Sequence, residues 1–194
     1  MRLLYKGAEA TLWVDDYLGL KVVRKQRLAK SYRQASLDSA LARQRARNEA
    51  RMLSRARCAV RTPRVLGLDG DELVMEFVAG QTVKEAFRRG DVSAAREMGE
   101  AVRRLHDAGI VHNDLTTSNF IAARDGLCVV DFGLAAVSKS DEDRAVDLVV
   151  FKKMLSSSHY DVFEKAWREF VAGYSPGEGV LAAVQRVEER VKYR

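Results

Sequence analysis

Apolar positions alternate along the early part of the chain and recur at helical spacing along the later part. Leu3 to Tyr5, Ala10 to Val14 and Gly19 to Arg27 read as strands, with Asp15, Asp16 and Tyr17 supplying a turn between the second and third. From about Ser36 to Ala56 there is no Pro or Gly and good helix formers prevail, which predicts one long helix, broken by Thr62-Pro63. Val65 to Leu68 and Glu72 to Phe77 then make a hairpin across Asp69-Gly70-Asp71, and Val78-Ala79-Gly80 is a crossover. Beyond it, Ala95, Met98, Val102 and Leu105 mark a helix that Gly109 stops. Val146, Val149 and Val150 mark a second, and Val162, Phe163, Ala166, Trp167, Phe170 and Val171 a third with Asp161 as its cap. Leu181, Val184, Val187 and Val191 mark a fourth, and all these stripes are expected to be core.

One hairpin interrupts the helical part. Asn119 to Ala123 reads as a strand, Arg124-Asp125-Gly126 as a turn and Leu127 to Val130 as the return. It joins two polar motifs, His112-Asn113-Asp114 through Asn119 on one side and Asp131-Phe132-Gly133 on the other, with Asp131 seventeen positions after Asp114. An Asp-Phe-Gly triplet alone carries little weight. At this distance from an H-x-D-x-x-x-x-N string, across a hairpin, it is the pattern of a phosphoryl-transfer site. Asp114 would sit near the accepting hydroxyl or water, while Asn119 and Asp131 would hold magnesium on the phosphates of ATP, since that ion prefers hard oxygen ligands and takes few carboxylates. His112 is expected to brace the loop. Asp147, in an apolar helical stretch, is expected to hydrogen-bond the catalytic-loop backbone.

The same chemistry requires a loop over the phosphates, a lysine on them and a carboxylate fixing that lysine. Gly7, Ala8, Glu9 and Ala10, between the first two strands, form the candidate loop, in which Gly7 permits close backbone approach. Lys21 and Lys25 share one strand face, so alternation leaves both open. Glu49 is the only acid between Asp38 and Asp69. Pairing with Arg45 four positions earlier would make it an ordinary surface residue; pairing with a cleft lysine explains its isolation better. Backbone of Glu76, Phe77 and Val78 is expected to hold the adenine. The fold class is therefore α+β: a minimal bilobal protein-kinase-like fold with a small N-terminal sheet lobe carrying one long helix (1–77), a hinge (78–80) and a reduced, mostly helical C-terminal lobe (81–194).

Charge and length refine this reading. The formal net charge is +6 over 194 residues. Between Arg24 and Arg57 eleven Arg or Lys face two acids, Asp38 and Glu49, so the basic character is concentrated on a segment that could meet RNA phosphates or an acidic protein surface electrostatically, or stand as a solvated helix face. No signal-peptide core or membrane-length apolar run occurs, and Cys128 reads as a buried reduced thiol, which together suggest a cytoplasmic protein. Only 63 residues follow Asp131 and no Ala-Pro-Glu appears among them, so the peptide-docking platform of a conventional protein kinase has no room.

The residues now in view resemble the small atypical kinase subunit of the KEOPS (EKC) complex, the PRPK-like family. The resemblance runs through Lys6 to Ala10, then Lys25, Arg27, Lys30, Tyr32 and Arg33, Leu37-Asp38 and Arg47 to Arg51. It continues through Asp114 to Asn119, Asp131 to Leu134 and Ala145 to Leu148. It implies an autophosphorylating Ser/Thr kinase or ATPase, of archaeal type. The implied partner is the KEOPS subunit that installs threonylcarbamoyl on tRNA adenosine. It selects Lys25 as the lysine paired with Glu49, and it gives Glu9 a functional role. Asn113 departs from the glycine usual in the family, and the tail Arg190 to Arg194 is shorter than its basic tails. Two other readings fit the motifs: a nucleotide-binding regulatory scaffold with incidental turnover, and a small-molecule kinase of the aminoglycoside phosphotransferase type.

Overall fold

A computed structural model describes residues 1–7, 9–28 and 35–192, with the side chains of all but 35–38, 191 and 192. The N-terminal part is an antiparallel sheet of β1 (Arg2–Lys6), β2 (Ala10–Tyr17), β3 (Leu20–Arg27), β4 (Val65–Asp69) and β5 (Glu72–Glu76), in the spatial order β1-β2-β3-β5-β4. The long helix α1 (Ala35–Ala56) packs across β4 and β5. The β2–β3 turn falls later than the sequence suggests. Asp15 to Tyr17 are strand residues paired with Val22 to Leu20, and the chain reverses at Leu18-Gly19, both at positive φ (51° and 78°). A two-residue turn of this hand matches the strand twist, and Gly19 enters it without steric cost, so it prevails over the polar Asp-Asp pair.

Phe77 to Ala79 lead out of the sheet, and Gly80 opens β6 (Gly80–Thr82), which pairs with the hairpin β8 (Phe120–Ala123) and β9 (Gly126–Val129). A short helix unanticipated from apolar spacing, α2 (Val83–Arg88), follows β6. Thr82 accepts from the Glu85 amide while the Glu85 carboxylate accepts from the Thr82 amide. This reciprocal cap satisfies two otherwise orphaned donors, and its T-x-x-E spacing was the available signal. The remaining elements are α3 (Ala95–Asp107), β7 (Ile110–Val111), a 3-10 turn (Thr117–Asn119), β10 (Ala136–Val137), α4 (Asp141–Ser158), α5 (Phe163–Tyr174) and α6 (Glu178–Lys192). β10 pairs with β7.

The main apolar core runs from Val23, Met52 and Leu53 under the sheet through Phe120, Val129 and Phe132 to Phe151, Phe170 and Tyr174 between the helices. Each such large side chain, fully buried, contributes about 1.5–3 kcal/mol from removal of apolar surface. The core is thus continuous beneath the segments that carry the polar motifs. Two helix readings need correction. Asp161 does not cap α5; it lies in a 3-10 turn, Tyr160–Val162, and the N-cap position is Val162, which has no side-chain cap bond. Val146, Val150 and Leu181 are exposed, because α4 buries the face of Ala145, Leu148, Val149 and Phe151 and α6 packs on it through Ala183 and Val187. Among the described residues no helix is long and apolar enough to cross a membrane.

Candidate functional site

Position along β3, not alternation, decides which cation enters the interior. Val23, Lys25 and Arg27 share one face of β3, and the side chains of Lys25 and Arg27 are only 8% and 9% exposed. Lys25 Nζ donates to Glu49 Oε1 and to Asp131 Oδ1, both at 2.7 Å. Lys21, the other lysine left open by parity, is exposed and pairs with Asp16 at 3.3 Å. Glu49, 1% exposed, divides its carboxylate: Oε1 takes Lys25 and Oε2 takes Arg27 at 2.7 Å. Arg45 is not its partner. The second cation on Glu49 escaped the sequence reading, although its position two residues from Lys25 on one strand face was the available signal.

Burial opposes a charge on Lys25, yet the two carboxylates outweigh it and hold the ammonium above its ordinary value. Burial likewise presses upward on Asp131, where Lys25 outweighs it and keeps this carboxyl below the usual carboxylate range. For Glu49, burial prevails over Lys25 and the pressure is upward. The ion pair connects β3, α1 and the Asp-Phe-Gly segment, so three elements distant in sequence are fastened at one ammonium.

The catalytic-type loop is built on backbone anchors. Asp147, on α4 and 2% exposed, accepts from the amides of His112 and Asn113, both at 2.7 Å. Asn113 stands at φ +60°, a left-handed conformation that glycine and asparagine enter most readily, which accounts for the departure at this position. Its side-chain amide donates to the Leu134 carbonyl at 3.1 Å, tying the loop to the segment after Gly133. His112 Nε2 donates to the Val130 carbonyl at 3.2 Å, and burial pushes its pKa down. It braces the loop, as anticipated.

Asn119 Nδ2 donates to the Asp114 carbonyl at 2.8 Å and to Asp114 Oδ2 at 3.2 Å. Burial raises the Asp114 carboxyl above its ordinary value. The Asn119 carbonyl accepts from the Val130 amide at 2.9 Å, so the hairpin carries Asp131 back alongside Asp114 and Asn119. Asp131 is itself at φ +60°, and its Oδ1 also accepts from the Gly133 amide at 3.3 Å. Its side chain remains 44% exposed, which leaves it accessible to a ligand.

The other sequence-stated positions are less gathered. Gly7 donates its amide to the Ala10 carbonyl at 3.0 Å, and the exposed Glu9 accepts the Leu28 amide on its carbonyl at 3.0 Å; Ala8 lies outside the described residues, as do Lys30, Tyr32, Arg33 and the last two residues of the tail. At the end of β5, the amides of Glu76 and Phe77 are engaged with the carbonyls of Arg64 (2.8 Å) and Lys21 (3.2 Å). The Glu76 carboxylate turns to Arg61 and to the Arg64 amide. Val78 is buried at the exit of the sheet. Cys128 is buried and free, its thiol pushed by burial up to about 11.

A five-stranded sheet with one long helix, a buried lysine–glutamate pair, and an Asp/Asn loop joined by a hairpin to Asp-Phe-Gly define a protein-kinase-like molecule. The RIO domain model, a family of atypical kinases, matches residues 17–149. A relative from Pyrococcus abyssi called KEOPS complex subunit Bud32 is 34% identical, the match covering 100% of this chain and 97% of the relative. Proteins called probable bifunctional tRNA threonylcarbamoyladenosine biosynthesis protein are also similar. That of Methanococcus maripaludis is 37% identical over 98% of this chain and 36% of its own length, and that of Methanocaldococcus jannaschii 38% identical over 98% and 37%. The chain belongs to the RIO domain family, on the branch of the KEOPS subunit Bud32. It spans about a third of the length of the bifunctional relatives.

Proposed function

We propose that the chain is a Mg-ATP-dependent phosphotransferase and ATPase. In this reading it phosphorylates itself on Ser or Thr and serves the KEOPS subunit that modifies tRNA with threonylcarbamoyladenosine, in the cytoplasm. One observation carries the chemical part: Lys25 Nζ stands 2.7 Å from both Glu49 and Asp131, a buried cation balanced by one fixed and one half-exposed carboxylate. A triphosphate arriving at the half-exposed side would take over the ammonium, while Glu49 keeps Lys25 directed.

Among the described residues no three or more His, Cys, Asp or Glu are grouped to hold a metal unaided. The donor set of one carboxylate, Asp131, and one amide oxygen, Asn119, fits magnesium that shares phosphate oxygens, because that ion keeps water and phosphate in its shell. Bound there, it would neutralise phosphate charge. Asp114, with its raised carboxyl, would orient the attacking hydroxyl or water, and Gly7, Ala8, Glu9 and Ala10 would cover the phosphates. The backbone of Glu76, Phe77 and Val78 would hold the adenine, with the carbonyls of Glu76 and Phe77 as the groups available there because their amides are engaged.

The partner assignment rests on the names of the relatives, and the basic segment 24–57 supplies positive charge for tRNA. Release of labelled phosphate from ATP, with and without the archaeal threonylcarbamoyl-transferase subunit and tRNA, tests both parts. Turnover by the chain alone, changed by the partner, is expected. A folded protein that neither hydrolyses ATP nor labels itself would remove the enzyme reading, leaving a nucleotide-binding scaffold.

A further inference from the structure

The acceptor that holds the catalytic-type loop is itself held from behind. His106 Nε2 lies 3.2 Å from Asp147 Oδ2, and His106 Nδ1 lies 2.8 Å from the Tyr174 hydroxyl. His106, Asp147 and Tyr174 are 1%, 2% and 2% exposed, so water does not compete for these bonds. A carboxylate offers only lone pairs, which fixes His106 as the Nε2–H tautomer toward Asp147. With the imidazole neutral, Nδ1 carries a lone pair that accepts from the Tyr174 hydroxyl. Burial pushes the Tyr174 phenol up to about 12, which keeps that donor in place at neutral pH.

Reaching this geometry requires two helices to meet at backbone distance. α3 and α5 cross at Gly99 and Gly173. A Cβ at Gly99 would collide with the Phe170 carbonyl and come within 2.7 Å of the Tyr174 amide, and one at Gly173 would collide with the Arg96 carbonyl. The close crossing brings Tyr174 on α5 against His106 on the last turn of α3, their rings edge to face at 5.5 Å. The result is a directional series of donors and acceptors. It runs from Tyr174 to His106 to Asp147, which also receives the amides of His112 and Asn113, next to Asp114 in the chain.

We propose that Tyr174 and His106 are positioning residues for Asp114: by fixing the Asp147 carboxylate they hold the strained turn at Asn113 and thereby the direction of the Asp114 side chain. The inference rests on the proposed role of Asp114. Nothing in the arrangement touches the side of the cleft formed by Lys25 and Glu49, so the rate step should suffer and nucleotide affinity should not.

The experiment compares wild type, Tyr174→Phe, His106→Gln and His106→Leu. It reads kcat and KM for ATP, hydrogen exchange at the amides of His112 and Asn113, and the 15N shifts of the His106 ring. In Tyr174→Phe, kcat should fall on the order of tenfold with KM little changed, as expected when a reacting group is displaced by a change remote from it. Amide protection at 112 and 113 should fall in parallel. His106→Gln, which keeps an N–H for Asp147, should retain more activity than His106→Leu. The inference is overturned if Tyr174→Phe keeps wild-type kcat and protection, if the loss appears in KM alone, or if wild-type His106 carries its proton on Nδ1 rather than Nε2. A wild type without ATP turnover would instead defeat the enzyme reading, and the ring shifts and amide exchange would still decide whether Tyr174 and His106 order the loop.

Discussion

Replacing Lys25 by Met removes the one ammonium that two carboxylates share, and the structure indicates what this costs. Truncating one partner of a buried ion pair typically destabilises by about 3–5 kcal/mol, because a charge remains buried without compensation. Here two features reduce that figure: Glu49 keeps Arg27 at 2.7 Å on its other oxygen, and the Asp131 side chain is 44% exposed. A loss of about 2–3 kcal/mol is therefore expected, which in a domain of this size lowers Tm by roughly 5–10 °C. Turnover of ATP should fall by about 10²–10³, the range for removing a group that stabilises developing charge. Because Arg27 still needs a partner, adding Glu49→Gln to Lys25→Met should cost further stability but less than Glu49→Gln costs alone, with a coupling energy of at least about 1 kcal/mol in the double-mutant cycle, and should return none of the activity. Urea unfolding of the four proteins, followed by phosphate release, reads both quantities. Additive stabilities with no coupling, or activity restored in the double variant, would refute the assignment of Lys25 and Glu49 as one unit.

Two further outcomes follow from the loop anchors. Asp147→Asn replaces one acceptor oxygen by a donor facing amides that already donate. Leaving at least one buried N–H without a partner costs about 1–3 kcal/mol, so the urea midpoint should shift accordingly and turnover should drop with it; a midpoint within error of wild type would contradict the geometry. Acidification supplies the other. Burial lowers the pKa of His112 below its ordinary 6.5, and its Nδ1 has no hydrogen-bond partner among the described residues, so protonation is resisted in the folded state. A depressed folded pKa means the unfolded chain binds the proton first, so this contribution to stability is complete above about 6.5 and declines as pH falls below it. Unfolding midpoints between pH 7.5 and 5 should fall in wild type and fall less in His112→Gln, whereas parallel profiles would exclude His112 as a contributor.

Much of the molecule was legible because its signals are local. The H-x-D-x-x-x-x-N string, the hairpin and the Asp-Phe-Gly triplet lie within 22 residues, and strand alternation with one tight turn is enough to bring them together. The absence of other acids around Glu49 pointed to a buried cation for the same reason: a lone carboxylate among arginines needs an explanation. What escaped was non-local or decided by competition between turns. Arg27 on β3 as second partner of Glu49 on α1, and Tyr174 on α5 behind His106 on α3, depend on which faces of separate elements meet. The apolar run of α4 does not specify which of Val146, Val149 and Val150 faces inward, since helical phase is set by α6 packing on one side. The Leu18-Gly19 turn prevailed over Asp15-Asp16 because positive φ at two successive positions suits a two-residue hairpin better than polarity does.

In the proposed site the Asp131 carboxylate grips a metal-bound nucleotide beside Lys25, a role that Asp131→Asn removes. Asparagine keeps the shape of the side chain and tolerates the left-handed backbone at φ +60°, so the fold should survive the change while the negative charge is lost. Calorimetric titration of ATP with and without magnesium, paired with phosphate release on the same samples, should show magnesium-dependent binding and turnover in wild type. The variant should lose the magnesium dependence and at least about 10² in rate. A folded variant that binds Mg-ATP and turns it over as wild type does would contradict the account.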